Sequence, residues 1–309
     1  TLVAPNTVPE RAAADDVAVF PAQWHSTLRQ EQREAAANVL ADACSELRSA
    51  QRIAVEFSQF PPHLEQVLGV QPTDLIDVEP ALRRQRRRKA DDELAMIRRA
   101  IACTDGMYAQ AREIIEPGIT ELEVFSQLHA AAVRVAGEPL TALGNDFQCN
   151  SPGGPPRSRG AQAGELFILD LGPAYRGYYA DNCRTFSVDG RPSDAQLRAW
   201  ELIVSALEMV EQSVRPGVRC RDVFERAQSM LDGYRRGAFS HHLGHGFGLF
   251  PHEAPHLNPN WDDVFEEGDV FTAEPGLYGP ELKAGIRLEQ NYRVTADGVE
   301  RLTSFPLEL

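Results

Sequence analysis

Five of the eight histidines crowd into the stretch from residue 241 to residue 256: His241, His242, His245, His252 and His256. Most stand in the run His241-His-Leu-Gly-His-Gly-Phe-Gly-Leu-Phe-Pro-His-Glu253, where glycines between the imidazoles let backbone approach backbone closely. Imidazole is the commonest metal ligand and titrates near neutrality, so a cluster this dense is a candidate metal or proton-transfer site.

Acidic residues flank it on both sides in the chain. Leu166 to Leu171 is a mostly apolar strand, Tyr178 to Val188 is a second, and Pro173-Ala-Tyr-Arg-Gly177 turns between them. With that turn centred on Tyr175 and Arg176, antiparallel pairing sets Asp170 directly opposite Asp181. Opposed carboxylates, with Cβ atoms roughly 5 Å apart, repel, and a shared cation is the simplest reason for such a pair. Downstream, Asp269 to Glu274 and Gly285 to Val294 read as strands joined through Pro275 to Ala284, so that Glu274 and Glu289 can meet across them. Strand alternation puts Arg287 on the face of Glu289 and Asn291, where it either binds substrate or neutralises a glutamate.

Four carboxylates and an imidazole, with no thiolate among them, suit two hard or borderline divalent ions, manganese first, then cobalt, zinc or iron. Two such ions about 3.5 to 4 Å apart can share a water, lower its pKa and polarise a carbonyl. That chemistry is hydrolytic.

The elements that must position these groups repeat. Leu94, Ile97, Ile101, Thr104, Tyr108, Ala111 and Ile115 recur at steps of three and four, an amphipathic helix that stops at Pro117-Gly118. A second helix runs from Thr120 to about Ala136 and ends at Gly137. Leu197, Trp200, Ile203, Leu207, Val210 and Val214 trace another stripe, which stops at Pro216-Gly217. Glu116-Pro-Gly-Ile-Thr-Glu-Leu-Glu-Val-Phe125 aligns with Arg215-Pro-Gly-Val-Arg-Cys-Arg-Asp-Val-Phe224, and Gly164 to Gly172 aligns with Gly268 to Gly276, placing Asp170 on Glu274. Each half is therefore a helix pair followed by a strand pair, and each brings one acidic group to a corresponding spot.

Residues 1–85 mix a helix-like stretch, Gln30 to Arg48, with a strand-like run, Ile53 to Phe57, and read as a small α/β domain ahead of the domain 86–309. The basic run Arg83-Arg84-Gln85-Arg86-Arg87-Arg88-Lys89 reads as a solvated linker on an acidic chain. With 31 basic against 45 acidic side chains the formal charge is −14, which repels phosphate backbones and anionic lipids, so nucleic acid is not an expected partner. No apolar run reaches bilayer length, and the first twenty residues lack the apolar core of a secretory signal, although they begin with Thr1 and not Met. The five scattered cysteines, none spaced as CxxC, read as reduced thiols, and the chain as soluble and cytoplasmic.

The sequence from roughly Asp91 to its end resembles the pita-bread metallopeptidases, the family of aminopeptidase P, prolidase and methionine aminopeptidase, with metal-free creatinase as a relative. The resemblance rests on Leu169-Asp-Leu-Gly172, Asp181-Asn-Cys-Arg-Thr185, His241 to Leu249 with His252-Glu-Ala-Pro255, Thr272-Ala-Glu-Pro-Gly276 and Gly285-Ile-Arg-Leu-Glu289. It implies an α+β fold in which the repeat surrounds a curved antiparallel sheet, a smaller and truncated N-terminal domain, and a homodimer. It implies that Asp170 binds one metal, that His245 and Glu274 bind the other, and that Asp181 and Glu289 bridge them. A metal-bridging hydroxide would attack the scissile carbonyl. Glu274 would carry its proton to the leaving amine, His241 and His252 would steady substrate and tetrahedral intermediate, and Arg287 would orient the substrate. His252-Glu-Ala-Pro255 and the preceding domain place the likeness with the Xaa-Pro-specific branch.

Two positions depart from the family pattern. A histidine usual upstream of the first metal aspartate is missing from Asn150-Ser-Pro-Gly-Gly-Pro-Pro-Arg-Ser-Arg159, leaving Arg157 and Arg159 either as replacements or on a solvated loop. Cys183 stands where threonine is common, which would alter the metal surroundings. Three functions follow: an Xaa-Pro peptidase, a metal-dependent hydrolase of a small non-peptide C–N bond, and a non-catalytic binding protein on the same fold.

Overall fold

The computed structural model describes residues 1–144 and 146–309. The chain forms two compact units, Thr1–Leu82 and Arg83–Leu309. In the first, Leu2–Pro5 pairs in parallel with Val17–Phe20, and Ile53–Val55 pairs in parallel with Leu75–Asp77. Its helix Gln32–Ala43 is shorter than the sequence pattern suggested, because a 3₁₀ segment, Ser45–Ser49, takes over. Ala41, Ile53, Leu68 and Val70 form its small core.

The second unit shows the repeat in full. Helices Asp91–Ile114 and Glu121–Ala136 precede a three-stranded antiparallel sheet, ordered Asn182–Ser187, Leu166–Leu171, Asp146–Cys149. Helices Asp194–Ser213 and Cys220–Leu231 precede a five-stranded one, ordered Glu253–Leu257, Gly244–Gly246, Val270–Ala273, Gln290–Val294, Val299–Arg301. Both helix pairs turn on the Pro-Gly signals, with Gly118 and Gly217 at φ of 103° and 89°. The helices start where the chemistry says they should: the Thr120 hydroxyl accepts from Glu123 N while Glu123 reaches back, and Ser193 and Gln196 do the same.

Each helix pair buries its apolar stripe against its own sheet. Met107, Tyr108, Val124 and Leu128 pack on Phe147, Phe167 and Leu169, while Ile203, Val210 and Phe224 pack with Phe239, Phe271 and Tyr292. The sheets are joined edge to edge by polar contacts that carry the halves into one another. Glu289 N–H donates to Cys183 O at 3.0 Å, Arg287 N–H donates to the Thr185 hydroxyl at 3.1 Å, and Asn291 donates to Asp181 O.

The basic run is not a solvated linker. It lies largely in the helix Glu79–Arg87, and two of its cations are buried. Arg87 forks onto Asp269, with Nε and Nη2 donating at 2.9 and 2.6 Å, and Lys89 Nζ reaches Glu253 at 3.0 Å. Burial selects the positions: Arg87 meets the buried Asp269 and Lys89 the partly buried Glu253, whereas Arg84 and Arg88 stay exposed. Because the Asp269 side chain is fully buried, removing its charge strands the guanidinium. Asp269→Asn should cost about 3–5 kcal/mol in urea unfolding. Glu300→Gln, at the exposed Arg98 pair, should cost less than about 1 kcal/mol.

Candidate metal centre

The first hairpin does not pair as its sequence suggested. Its turn falls one residue later, on Arg176 and Gly177, which both lie in the left-handed region at φ of 50° and 87°. A two-residue turn of this hand matches the strand twist and wants glycine in its second place. The register therefore shifts: Asp170 faces Cys183, and Asp181 sits diagonally, just before the strand Asn182–Ser187. Spacing by two keeps both aspartates on one face, so they converge without opposing each other. In the second half the register is as expected. Ala273 pairs with Gln290 and Gly276 with Arg287, which sets Glu274 and Glu289 across from one another where the ladder opens. There each glutamate bonds elsewhere through its backbone, Glu274 N–H to Leu243 O and Glu289 N–H to Cys183 O.

His245 arrives on Gly244–Gly246, squeezed between two strands. A Cβ at Gly244 would lie 2.0 Å from Thr272 O, and one at Gly246 would lie 2.0 Å from Ala254 O. His245 Nδ1 faces Gly246 O at 3.0 Å; a carbonyl can only accept, so Nδ1 carries the proton and Nε2 presents its lone pair. That nitrogen stands 3.6 Å from Asp181 and 3.4 Å from Glu274.

These residues line a cavity of about 270 Å³ together with Asp170, His241, His242, His252 and Arg287. One possible ligand atom from each of Asp170, Asp181 and Glu289 falls within 4.8 Å of the others, and the same holds for His245, Glu274 and Glu289. All five side chains are buried. Both oxygens of Glu289 and Oδ1 of Asp170 have no hydrogen-bond partner among the described residues. Burial, then the neighbouring acids, pushes the Asp181 and Glu289 carboxyls well up. Burial also pushes Asp170 up, against the pull of Arg287. Glu274 goes the other way: burial opposes it, but the hydrogen bond from His242 holds it well below the carboxylate range. Such a donor set, acid-rich, short of positive charge and with unpartnered oxygens, fits divalent cations.

The remaining residues take more particular places. Arg287 is consumed by the protein: Nη2 bonds Asp170 at 2.8 Å and also Asp146, and Nη1 donates to Tyr278 Oη at 3.1 Å and Pro152 O at 3.2 Å. It neutralises two aspartates and no glutamate. His241 also has both nitrogens engaged, Nδ1 with His242 O at 2.8 Å and Nε2 with Tyr278 Oη at 2.9 Å, and burial lowers it to about 4. His252 stacks on His245 with ring centroids 3.7 Å apart, is exposed, and is lowered to about 4 by burial and its imidazole neighbours. His256 stays outside, bound to Asp263 at 2.7 Å. Arg157 and Arg159 replace no histidine; they pair with Glu121 and Glu165 away from the cavity. The Cys183 thiol is buried against Arg287 O, and burial pushes it well up.

Residues 95–296 match metallopeptidase family M24. The chain belongs to that family. Family members with curated names include the Xaa-Pro dipeptidase of Pyrococcus horikoshii, 31% identical over 236 residues, which are 75% of this chain and 67% of that protein. The Xaa-Pro dipeptidase of Pyrococcus furiosus is 31% identical over 72% of this chain and 64% of its own length. The chain thus spans about two thirds of these relatives. Among solved M24 structures, the prolidase of Pyrococcus horikoshii superimposes with a TM-score of 0.78 at 27% identity, covering 87% of this chain and 79% of that one. The X-Pro aminopeptidase of Thermotoga maritima gives 0.77 at 26% identity, covering 88% and 78%.

Three residues of this M24 site carried no role in the sequence reading. His242 was one more imidazole in the cluster. Tyr278 shares the parity of Gly276, which pairs with Arg287, along the strand Gly276–Gly279, a signal that could have found it. Asp146 pairs directly with Asp170 across the sheet, which no local pattern announces. The unpartnered oxygens of Glu289 set up a test. Glu289→Gln replaces a buried carboxyl, whose oxygens have no partner among the described residues, with a neutral isostere, so its unfolding midpoint in EDTA should equal or exceed that of the unaltered chain. Its gain on adding manganese should vanish, whereas the unaltered chain gains about 2.7 kcal/mol at a hundredfold excess over Kd. A fall in the EDTA midpoint would contradict this.

Proposed function

We propose that the chain is an Xaa-Pro peptidase of the prolidase or aminopeptidase P type, acting with two divalent ions, manganese first, held by Asp170, Asp181, His245, Glu274 and Glu289. The observation that carries this reading is the convergence of those five buried groups with oxygens left unpartnered. The names of the curated relatives support the substrate class. Asp181 and Glu289, each within reach of two other donors, would be shared between the ions.

Ions in this site would supply Lewis acidity and a water acidic enough to attack near neutral pH. The protein supplies the rest. Glu274, held ionised, takes the proton of the attacking water and delivers it to the leaving nitrogen. His252, exposed and uncharged near neutrality, is placed to donate to the oxygen that gains charge at the scissile carbon. His241 reaches the substrate through Tyr278, whose hydroxyl it shares with Arg287. Arg287 holds Asp170 in place and lends its charge to the cavity, so it orients the site more than it anchors a substrate carboxylate.

Purified chain loaded with manganese is expected to cleave Xaa-Pro dipeptides or longer Xaa-Pro peptides in preference to Xaa-Ala peptides and small non-peptide amides. Glu274→Ala should lower kcat by at least about 10²-fold. Turnover of small amides with none of the Xaa-Pro substrates would replace the peptidase reading with the amidohydrolase one. A chain that takes up no metal would leave a binding protein.

A further inference from the structure

Beside the five groups assigned above, His242 bonds one of the acids directly. His242 Nε2 lies 2.8 Å from Glu274 Oε1, closer than His245 at 3.4 Å. The contact is built into the backbone. Leu243, the next residue, is fully buried; its carbonyl accepts from Glu274 N–H at 2.7 Å, and its own N–H is held by Leu257 O at 2.9 Å. The His242 ring is walled in by three other imidazoles, edge-on to His241, His245 and His252 at centroid distances of 5.8, 5.3 and 5.6 Å. Main chain and packing together leave little freedom for the pair to separate.

A carboxylate can only accept, so the hydrogen bond requires the proton to sit on His242 Nε2. Hydrogen bonds of this kind to a metal-binding carboxylate fix its plane, and their loss weakens metal binding without removing a ligand. We infer that His242 is a positioning residue that donates to Glu274 Oε1 and holds that carboxylate in the orientation that binds divalent metal. The inference rests on the metal-dependent reading above, and it concerns a residue to which that reading gives no role.

The test is calorimetric titration of the metal-stripped full chain with MnCl₂, with unfolding midpoints in EDTA measured alongside. His242→Phe keeps a ring among the imidazoles but has no donor, and should weaken manganese binding by about 10- to 100-fold with an unmoved EDTA midpoint. His242→Gln, which restores an N–H at similar reach, should bind within about threefold of the unaltered chain. A His242→Phe chain that binds manganese as tightly as the unaltered one overturns the inference alone. So does a His242→Gln chain as weak as His242→Phe, because the donor would then not be what matters. An unaltered chain that takes up no manganese overturns the metal-dependent reading and this inference with it.

Discussion

Four buried carboxylates, Asp170, Asp181, Glu274 and Glu289, crowd one site, and mutual repulsion among them is the constraint around which the second unit is arranged. Two unit charges about 4 Å apart at an effective dielectric of about 20 interact by about 4 kcal/mol, comparable with the whole stability margin of many domains. The cluster therefore needs compensating charge. Arg287 supplies it to Asp170 and Asp146, and the His242 imidazole offsets Glu274 by donating to its Oε1. Neither oxygen of Glu289 has a hydrogen-bond partner among the described residues, and burial with the neighbouring acids drives the Glu289 and Asp181 carboxyls well up. A site so short of positive charge is stable only with protons or metal ions in it, and ions are what its geometry accommodates.

The repeated architecture explains how so unfavourable a set is assembled. Each half contributes a strand whose end carries an acid, Asp170 in one and Glu274 in the other, and each half's helix pair locks its sheet from behind. Where the halves join, Arg184 is almost wholly buried. It donates to Glu289 O at 2.5 Å, to Asn182 Oδ1 at 2.7 Å and to Gln290 Oε1 at 2.9 Å, fixing the main chain on both sides of the acids. The strain of crowded charge is thus borne by hydrogen bonds and apolar packing outside the cavity. The electrostatic cost is local, while the stabilisation is spread over the whole unit.

Arg287 shows how the same constraint redirects a side chain. Alternation put it on the face of Glu289, where a substrate anchor was expected. In the fold Asp146 and Asp170 reach it first, and with Pro152 O and Tyr278 Oη they occupy four contacts of its two terminal nitrogens. Residues 150–159, which lack the upstream histidine, touch this guanidinium through Pro152 O.

Periodicity, capping signals and turn chemistry determined the helices, the Pro-Gly turns and the twofold repeat, because each is set by interactions between residues near in the chain. The four acids that converge were legible through residue type and order, and the family resemblance singled out His245 among the clustered histidines. The pairing of Asp170 was not: the shift of a single turn residue, Gly177 in place of Tyr175 within the central pair, moved its partner from Asp181 to Cys183. Arg87 and Lys89 looked like part of a solvated charge run and are buried ion pairs, and Asp146, Tyr278 and His242 gained their partners only on folding. These are contacts between distant segments, and their geometry depends on strand register and burial, which tertiary packing alone decides.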